Sequence, residues 1–283
     1  MSTAERVDLD DLRAAVRDFL AARSPSSAVR TAMDSSCGYD DRVWRELTAD
    51  LGLAAIAVPE ELGGAGAGMP ELTVVFEEMG AALLCAPFFS TVAMALPTLL
   101  GSSDATATGE YLPGLVDGSM TGTVIFNGTL DAWNPSAVAL TARRDGARYR
   151  LHGHADRVLD GHTANIILAA ANTDAGPSLF AVQDGADGLS REPLATLDRT
   201  RKVAAMGFDG VSAQMVGADG GAAPALERAY DAGVIALAAE QVGAAQRCLD
   251  AAVGYAKERI QFGRAIGSFQ AIKHRCADML VLV

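Results

Sequence analysis

The stretch KERIQFGRAIGSFQAIKHR, residues 257–275, gathers five basic residues (Lys257, Arg259, Arg264, Lys273 and Arg275) around one acid, Glu258. Phe262 lies inside it, next to the turn-forming Gly263. A guanidinium fork bonds two phosphate oxygens at once, and an aromatic face stacks on a purine. Such a corner suits a phosphate-bearing ligand. It equally suits a solvated helix end, where cations favour the C-terminal dipole; pattern alone favours that plainer reading. His152 and His154 are two apart on an expected strand. No carboxylate or cysteine cluster joins them, so a surface pair is expected there rather than a metal site.

The elements that must position this corner fall into three stretches: 1–118, 119–217 and 222–283. The first is read as helical. Asp8 is expected to cap a helix with Leu9, Leu12, Val16, Phe19 and Leu20 inward, ended by Ser24–Pro25. A second helix is expected from about Asp40, and a third over Glu71–Leu84 behind Pro70. A fourth, over Thr91–Leu100, should be kinked or split by Pro97. A short helix over Glu110–Val116 closes the stretch. Between the second and third lies LGLAAIAVPEELGGAGAGMP, a loop with a buried apolar entry. In the second stretch the period changes. Short β-prone runs (121–126, 136–142, 148–153, 165–171, 178–182 and 200–208) alternate with Asp–Gly pairs at 145, 160, 184 and 209. That spacing predicts a small antiparallel barrel or sandwich. The third stretch holds an Ala-rich helix over Ala225–Lys257, a turn at 262–268 and a helix restarting near Phe269. It stops on Leu280–Val283 without a polar stop signal, so a fragment or a covering chain is expected.

Charge bounds the partners. Twenty-three Lys and Arg against 35 Asp and Glu give −12 over 283 residues, and the +4 of residues 257–275 leaves −16 over the rest. That balance argues against a general nucleic-acid or anionic-membrane binder. No run approaches the ~18 apolar residues of a membrane span, and the acidic N-terminus is unlike a secretory signal. The four scattered cysteines, Cys37, Cys85, Cys248 and Cys276, suggest reduced thiols and a cytoplasmic protein.

Two separated segments carry a family resemblance. RIQFGRAIGSFQAIKHRCADM resembles the R-x-x-F-G signature of acyl-CoA dehydrogenases. LGLAAIAVPEELGGAGAG followed by FEEMGAALLCAPF is similar to that family's V-P-E-E-x-G-G segment and the helix after it. The resemblance covers essentially the whole chain. It implies an α+β fold with an N-terminal all-α domain (1–118), a middle β-barrel domain (119–217) and the first part of a C-terminal helical bundle (222–283). It also implies FAD-dependent oxidation of the Cα–Cβ bond of an acyl-CoA thioester, an oligomer, and an electron-transferring flavoprotein as acceptor. Carried over residue by residue, Arg259 matches the arginine at the FAD pyrophosphate. Gln261 and Phe262 match the pair near the pyrophosphate and adenine, and Gln270 a glutamine on the adenosine side. In the family these contacts reach the FAD of a neighbouring subunit.

The departures lie at the other end of the flavin. The family's T-E-P-x-x-G-S-D segment has no counterpart in residues 125–138, and its W-I-T-N is replaced by RVLD, residues 157–160. Arg157 and Leu159 stand where a Trp and a Thr are expected. The family's helix position for the catalytic base falls on Gly233. Asp231 is turned roughly 200° away from it on a helix, and Glu240 is two turns displaced, expected in a helix or subunit contact. No catalytic base is assigned. Three readings remain: a dehydrogenase whose base lies outside these residues, a mainly structural, FAD-sharing subunit of a heteromeric dehydrogenase acting on bulky CoA thioesters, and a flavin oxidase of the same fold.

Overall fold

The structure, a computed structural model, describes residues 3–126 and 138–283, with side chains from residue 9 onward. The chain begins with α1 (Thr3–Arg23), α2 (Ser26–Asp34) and α3 (Asp41–Arg45), the last continuing as a π-helical turn over Glu46–Asp50. The helix does not begin at Asp8 as expected. Ala4, Glu5 and Arg6 are sound helix formers, and α1 starts at Thr3. Helix α2 was not expected because its stripe of Val29, Ala32 and Met33 spans little more than one turn and buries only Val29. After the loop come α4 (Met69–Ala82), a π-helical segment over Phe89–Ala95, α5 (Leu96–Gly101) and α6 (Ala105–Asp117). Pro97 sits in the first turn of α5, where its missing N–H is harmless, so the expected split falls there.

The strands are β1 (Gly122–Ile125), β2 (Leu140–Asp145), β3 (Arg148–Leu159), β4 (Ile166–Thr173), β5 (Gly176–Gln183), β6 (Leu189–Pro193) and β7 (Val203–Val216). Pairings β4–β2, β2–β3, β3–β7, β7–β5 and β5–β4 close a five-stranded ring, with β1 on β4 and β6 on β7 outside it. The barrel is not wholly antiparallel, because β2–β4 and β1–β4 are parallel. A ring with an odd number of strands cannot alternate direction throughout, so at least one parallel pair is forced. Strand β6 is largely exposed and carries no alternating pattern. The Asp209–Gly210 pair is no turn: β7 runs through it, and the register against β3 slips there, a bulge that Gly210 accommodates at φ 68.

The barrel encloses its own core, including Leu140, Leu151, Phe180, Val182 and Met206. Strands β4 and β5 read as continuous apolar runs because they are covered on both sides. Ile167 and Ala169 face the barrel interior, while Ile166, Leu168 and Ala170 join the helical core with Trp44, Phe76 and Phe88.

Helix α7 (Ala223–Glu258) lies across α4 and α5. A Cβ on Gly243 would fall inside the carbonyl of Glu77, and one on Gly80 inside that of Glu240. The α4–α7 crossing is therefore made by two backbones in contact, and only glycine permits it. On the far side of α4, Glu78 is 7% exposed and takes Arg13 at 3.0 Å and Arg17 at 2.8 and 3.0 Å. Burial raises its pKa, but the hydrogen bonds and charges of Arg17 and Arg13 outweigh that and hold it below the ordinary carboxylate range. Helix α1 is thus bound to α4 by a neutralised buried charge. The four cysteines are free thiols, and among the described residues no helix is long and apolar enough to cross a membrane.

Candidate functional site

The basic corner is an elbow. Helix α7 ends at Glu258 and Arg259 turns extended, at φ −70 and ψ 117. Strands β8 (Ile260–Gln261) and β9 (Arg264–Ala265) then form a hairpin, followed by a 3-10 turn and α8 (Gln270–Leu282). The Arg259 carbonyl accepts from the Ile266 N–H at 2.8 Å, which closes the base of the hairpin. Its two turn residues, Phe262 and Gly263, have φ of 53 and 74. Both positive values suit the primed turn that matches strand twist, a geometry that normally selects Asn–Gly. A phenylalanine there is strained, and its ring is 91% exposed. It meets Phe269 edge to face at 6.1 Å, and Arg264 lies 4.0 Å above Phe269. Arg259, Gln261 and Gln270 are all exposed. No ion pair among the described residues engages Lys257, Arg259, Arg264, Lys273 or Arg275.

A second strained stretch ends β3. Its register against β7 slips between Ala155 and Val158, so Asp156 and Arg157 bulge out. Arg157 has φ 59 and is exposed, while Leu159 is half-buried against the helical core. Asp160 follows at φ 49 and is 9% exposed. Thr123 donates to the Leu159 carbonyl at 2.6 Å, and the Asp160 N–H donates to that of Lys202 at 2.9 Å. Ser90, from the π-helical segment, reaches the Asp160 carboxyl at 2.7 Å. Of residues 125–138, positions 127–137 lie outside the described residues.

Gly233 is buried on α7, and a Cβ there would meet only Met94 and Phe89, at 3.9 and 4.0 Å. Glu240, two turns on, accepts two bonds from Arg201 Nη2 at 2.8 and 2.6 Å. The Arg201 guanidinium also lies 4.4 Å over the Phe89 ring. Burial raises the Glu240 pKa against the opposing charge and hydrogen bond of Arg201. Sequence reasoning missed Arg201, whose partners are 39 and 112 positions away. Asp231 is exposed and lines a different space. That space is a cavity of about 610 Å³ between α4, α5 and the first turns of α7, walled by Ala57, Leu72, Leu96 and Ala232 with Glu227 and Asp231 at its rim. Ala236 and Ala239 are packed into the core instead. His154 pairs with Asp156 at 2.9 Å, and His152 accepts from the Gly210 N–H. Among the described residues no three potential ligands converge on a metal position.

Known proteins share this fold and sequence. The acyl-CoA dehydrogenase N-terminal domain profile matches residues 7–119, and the C-terminal domain profile matches residues 219–283. Acyl-CoA dehydrogenase IpdE2 of Mycolicibacterium smegmatis is 36% identical over 272 residues, which span 96% of this chain and 72% of that protein. A variant of the Tcur3481–Tcur3483 steroid ACAD superposes with a TM-score of 0.84 at 34% identity, covering 97% of this chain and 73% of that one. The ChsE4–ChsE5 complex from Mycobacterium tuberculosis gives 0.83 at 28% identity, covering 99% and 74%. The chain belongs to the acyl-CoA dehydrogenase family, oxidoreductases that act on CH–CH bonds.

Proposed function

We propose that this chain serves an FAD-dependent α,β-dehydrogenation of a bulky acyl-CoA thioester, and that its elbow grips the ADP half of the flavin across an interface with a neighbouring subunit. The observation that carries the reading is the elbow. Cations without an ion pair share one short elbow with an exposed aromatic held in a strained turn, which fits a diphosphate and an adenine. Bound FAD would accept the β hydrogen as hydride. Arg259 would pair with the diphosphate, Gln261 and Gln270 would hydrogen-bond along the dinucleotide, and Phe262 would offer its ring to the adenine. At the other end, Arg157–Asp160 offers a flavin ring neither an aromatic face nor a side-chain hydroxyl. The fit is therefore to half of the cofactor.

The α proton of a thioester is poorly acidic, so its removal needs a desolvated base. Gly233 has no side chain to supply one, and Glu240 is committed to Arg201. The base would come from other residues. The bare Gly233, facing Phe89 and Met94, would leave width for a large acyl group, a reading supported by the steroid relative. The same observations favour a second reading, in which the chain is the non-catalytic, FAD-sharing member of a heteromer whose other subunit supplies base and ring contacts. An electron-transferring flavoprotein is the acceptor we infer for either.

The test uses the full-length protein, alone and with a co-encoded homologue, purified by gel filtration. Arg259→Ala is expected to weaken FAD binding at least tenfold, the loss of one desolvated charge-assisted bond of about 1.5–3 kcal/mol, and so to lower the flavin-to-protein ratio after gel filtration. An unchanged ratio would overturn the elbow assignment. Flavin bleaching by acyl-CoAs with the protein alone would select the first reading, and bleaching only with the homologue the second.

A further inference from the structure

Asp160 is a buried carboxyl outside every role assigned above. Its Oδ2 is 2.7 Å from the Ser90 hydroxyl, and that hydroxyl is 3.2 Å from the Pro87 carbonyl. A hydroxyl has one proton, and both neighbours accept if Asp160 is ionised. An ionised Asp160 would then hold one hydrogen bond for a full buried charge. Among the described residues no cation donates to it. Arg201, the cation whose field reaches it, donates through Nη2 to Glu240. The other titratable groups that feel Asp160 are Tyr39 and Cys85, and its charge would raise both their pKa values.

We propose that at mildly acidic pH Asp160 carries a proton in the folded chain, donates it to Ser90, and through the relay Asp160–Ser90–Pro87 is the positioning residue for the strained end of β3, Arg157–Asp160. As the neutral acid, its O–H satisfies Ser90, whose own proton then goes to Pro87. Every group in the relay gains a partner, and no charge is buried. The relay ties the end of β3 to the π-helical segment that carries Phe89. Its importance for the reaction rests on the proposed function, which places that end toward the flavin. The proton does not depend on that reading. Burial, opposed by the Ser90 bond and the Arg201 charge, lifts the Asp160 pKa to about 6.

The experiment is a carboxyl ¹³C titration of the aspartate-labelled full chain, with thermal unfolding of wild type, Asp160→Asn and Asp160→Ala from pH 4.5 to 8. We expect one aspartate resonance to titrate near the raised value and to vanish in Asp160→Asn. The Asn amide still donates to Ser90 without a charge, so that variant should match wild type in Tm at pH 4.5 and exceed it at pH 7.5. Asp160→Ala should lie below both at pH 4.5. If every aspartate titrates near its ordinary value of about 3.9, or the Asn-minus-wild-type difference in Tm is constant with pH, the proposal fails. If the Asn variant does not fold, Ser90→Ala assigns the resonance, which should then move. Absence of flavin from all variants would sink the cofactor reading and leave the titration to decide this one.

Discussion

Two junctions hold this molecule together, and each buries a carboxyl. At the first, Glu78 of α4 faces Arg13 and Arg17 of α1, while Gly80 and Gly243 bring the opposite side of α4 against α7. At the second, Asp160 at the end of β3 faces a serine hydroxyl. Both side chains are over nine-tenths hidden, yet their proton affinities move in opposite directions. Burial pushes each upward, and only the two guanidiniums at Glu78 reverse it. Burial therefore does not by itself set the charge state of a carboxyl; the cations that accompany it do.

The largest effect should come from breaking the first junction sterically. Gly243→Ala drives a methyl into the Glu77 backbone, and a loss of about 3 kcal/mol is expected in urea unfolding. A loss below about 1 kcal/mol would show that α4 and α7 can separate freely. Next comes its charge. Glu78→Gln should cost about 1 kcal/mol at pH 7 by removing the charge-assisted bonds from Arg17 and Arg13, while Arg13 keeps Glu77 at 2.6 Å. Since the Glu78 value lies below the ordinary range, its contribution is present above that range and lost as pH falls through the lowered value. Asp160 runs the other way. Its contribution is full below the ordinary value of 3.8 and is lost as pH rises through about 6. Parallel pH–stability slopes for Glu78→Gln and Asp160→Asn, each relative to wild type, would erase the contrast.

A comparable effect should sharpen it. Arg201→Ala removes the cation shared by Glu240 and Asp160, so both carboxyls should titrate at higher pH, with a stability loss of about 1.5 kcal/mol near pH 7.5. Carboxyl ¹³C midpoints that stay put would show that Arg201 neutralises neither. The smallest change in stability belongs to the elbow, which has neither junction's burial. Phe262→Gly relieves a positive φ and removes an exposed ring, so Tm should stay level or rise, by less than about 1 kcal/mol in stability, while FAD retention falls. A drop in Tm would mean that the ring supports the fold rather than a ligand.

Much of the architecture was legible because apolar period and turn residues are local signals. The α4 stripe, the break at Pro97 and the alternation around the barrel strands all follow from neighbours a few positions apart. The short elements α2 and β6, nine and five residues long, were not visible, and Asp209–Gly210 resembled a turn because bulges use the same residues as turns. For the candidate site, the elbow residues and Gly233 were singled out through the family resemblance. Arg201 was not, since nothing near it in sequence marks a partner on α7.

The sequence by itself determined the order of helices, strands and helices, the family, and the concentration of positive charge at residues 257–275, because each is written in adjacent residues. Tertiary structure alone decided which charges are neutralised. Arg13 and Arg17 reach Glu78 across more than 60 positions, Arg201 reaches Glu240 across 39, and Asp160 is left with Ser90 across 70. A charge's energy depends on distance and surrounding dielectric, and the fold sets both.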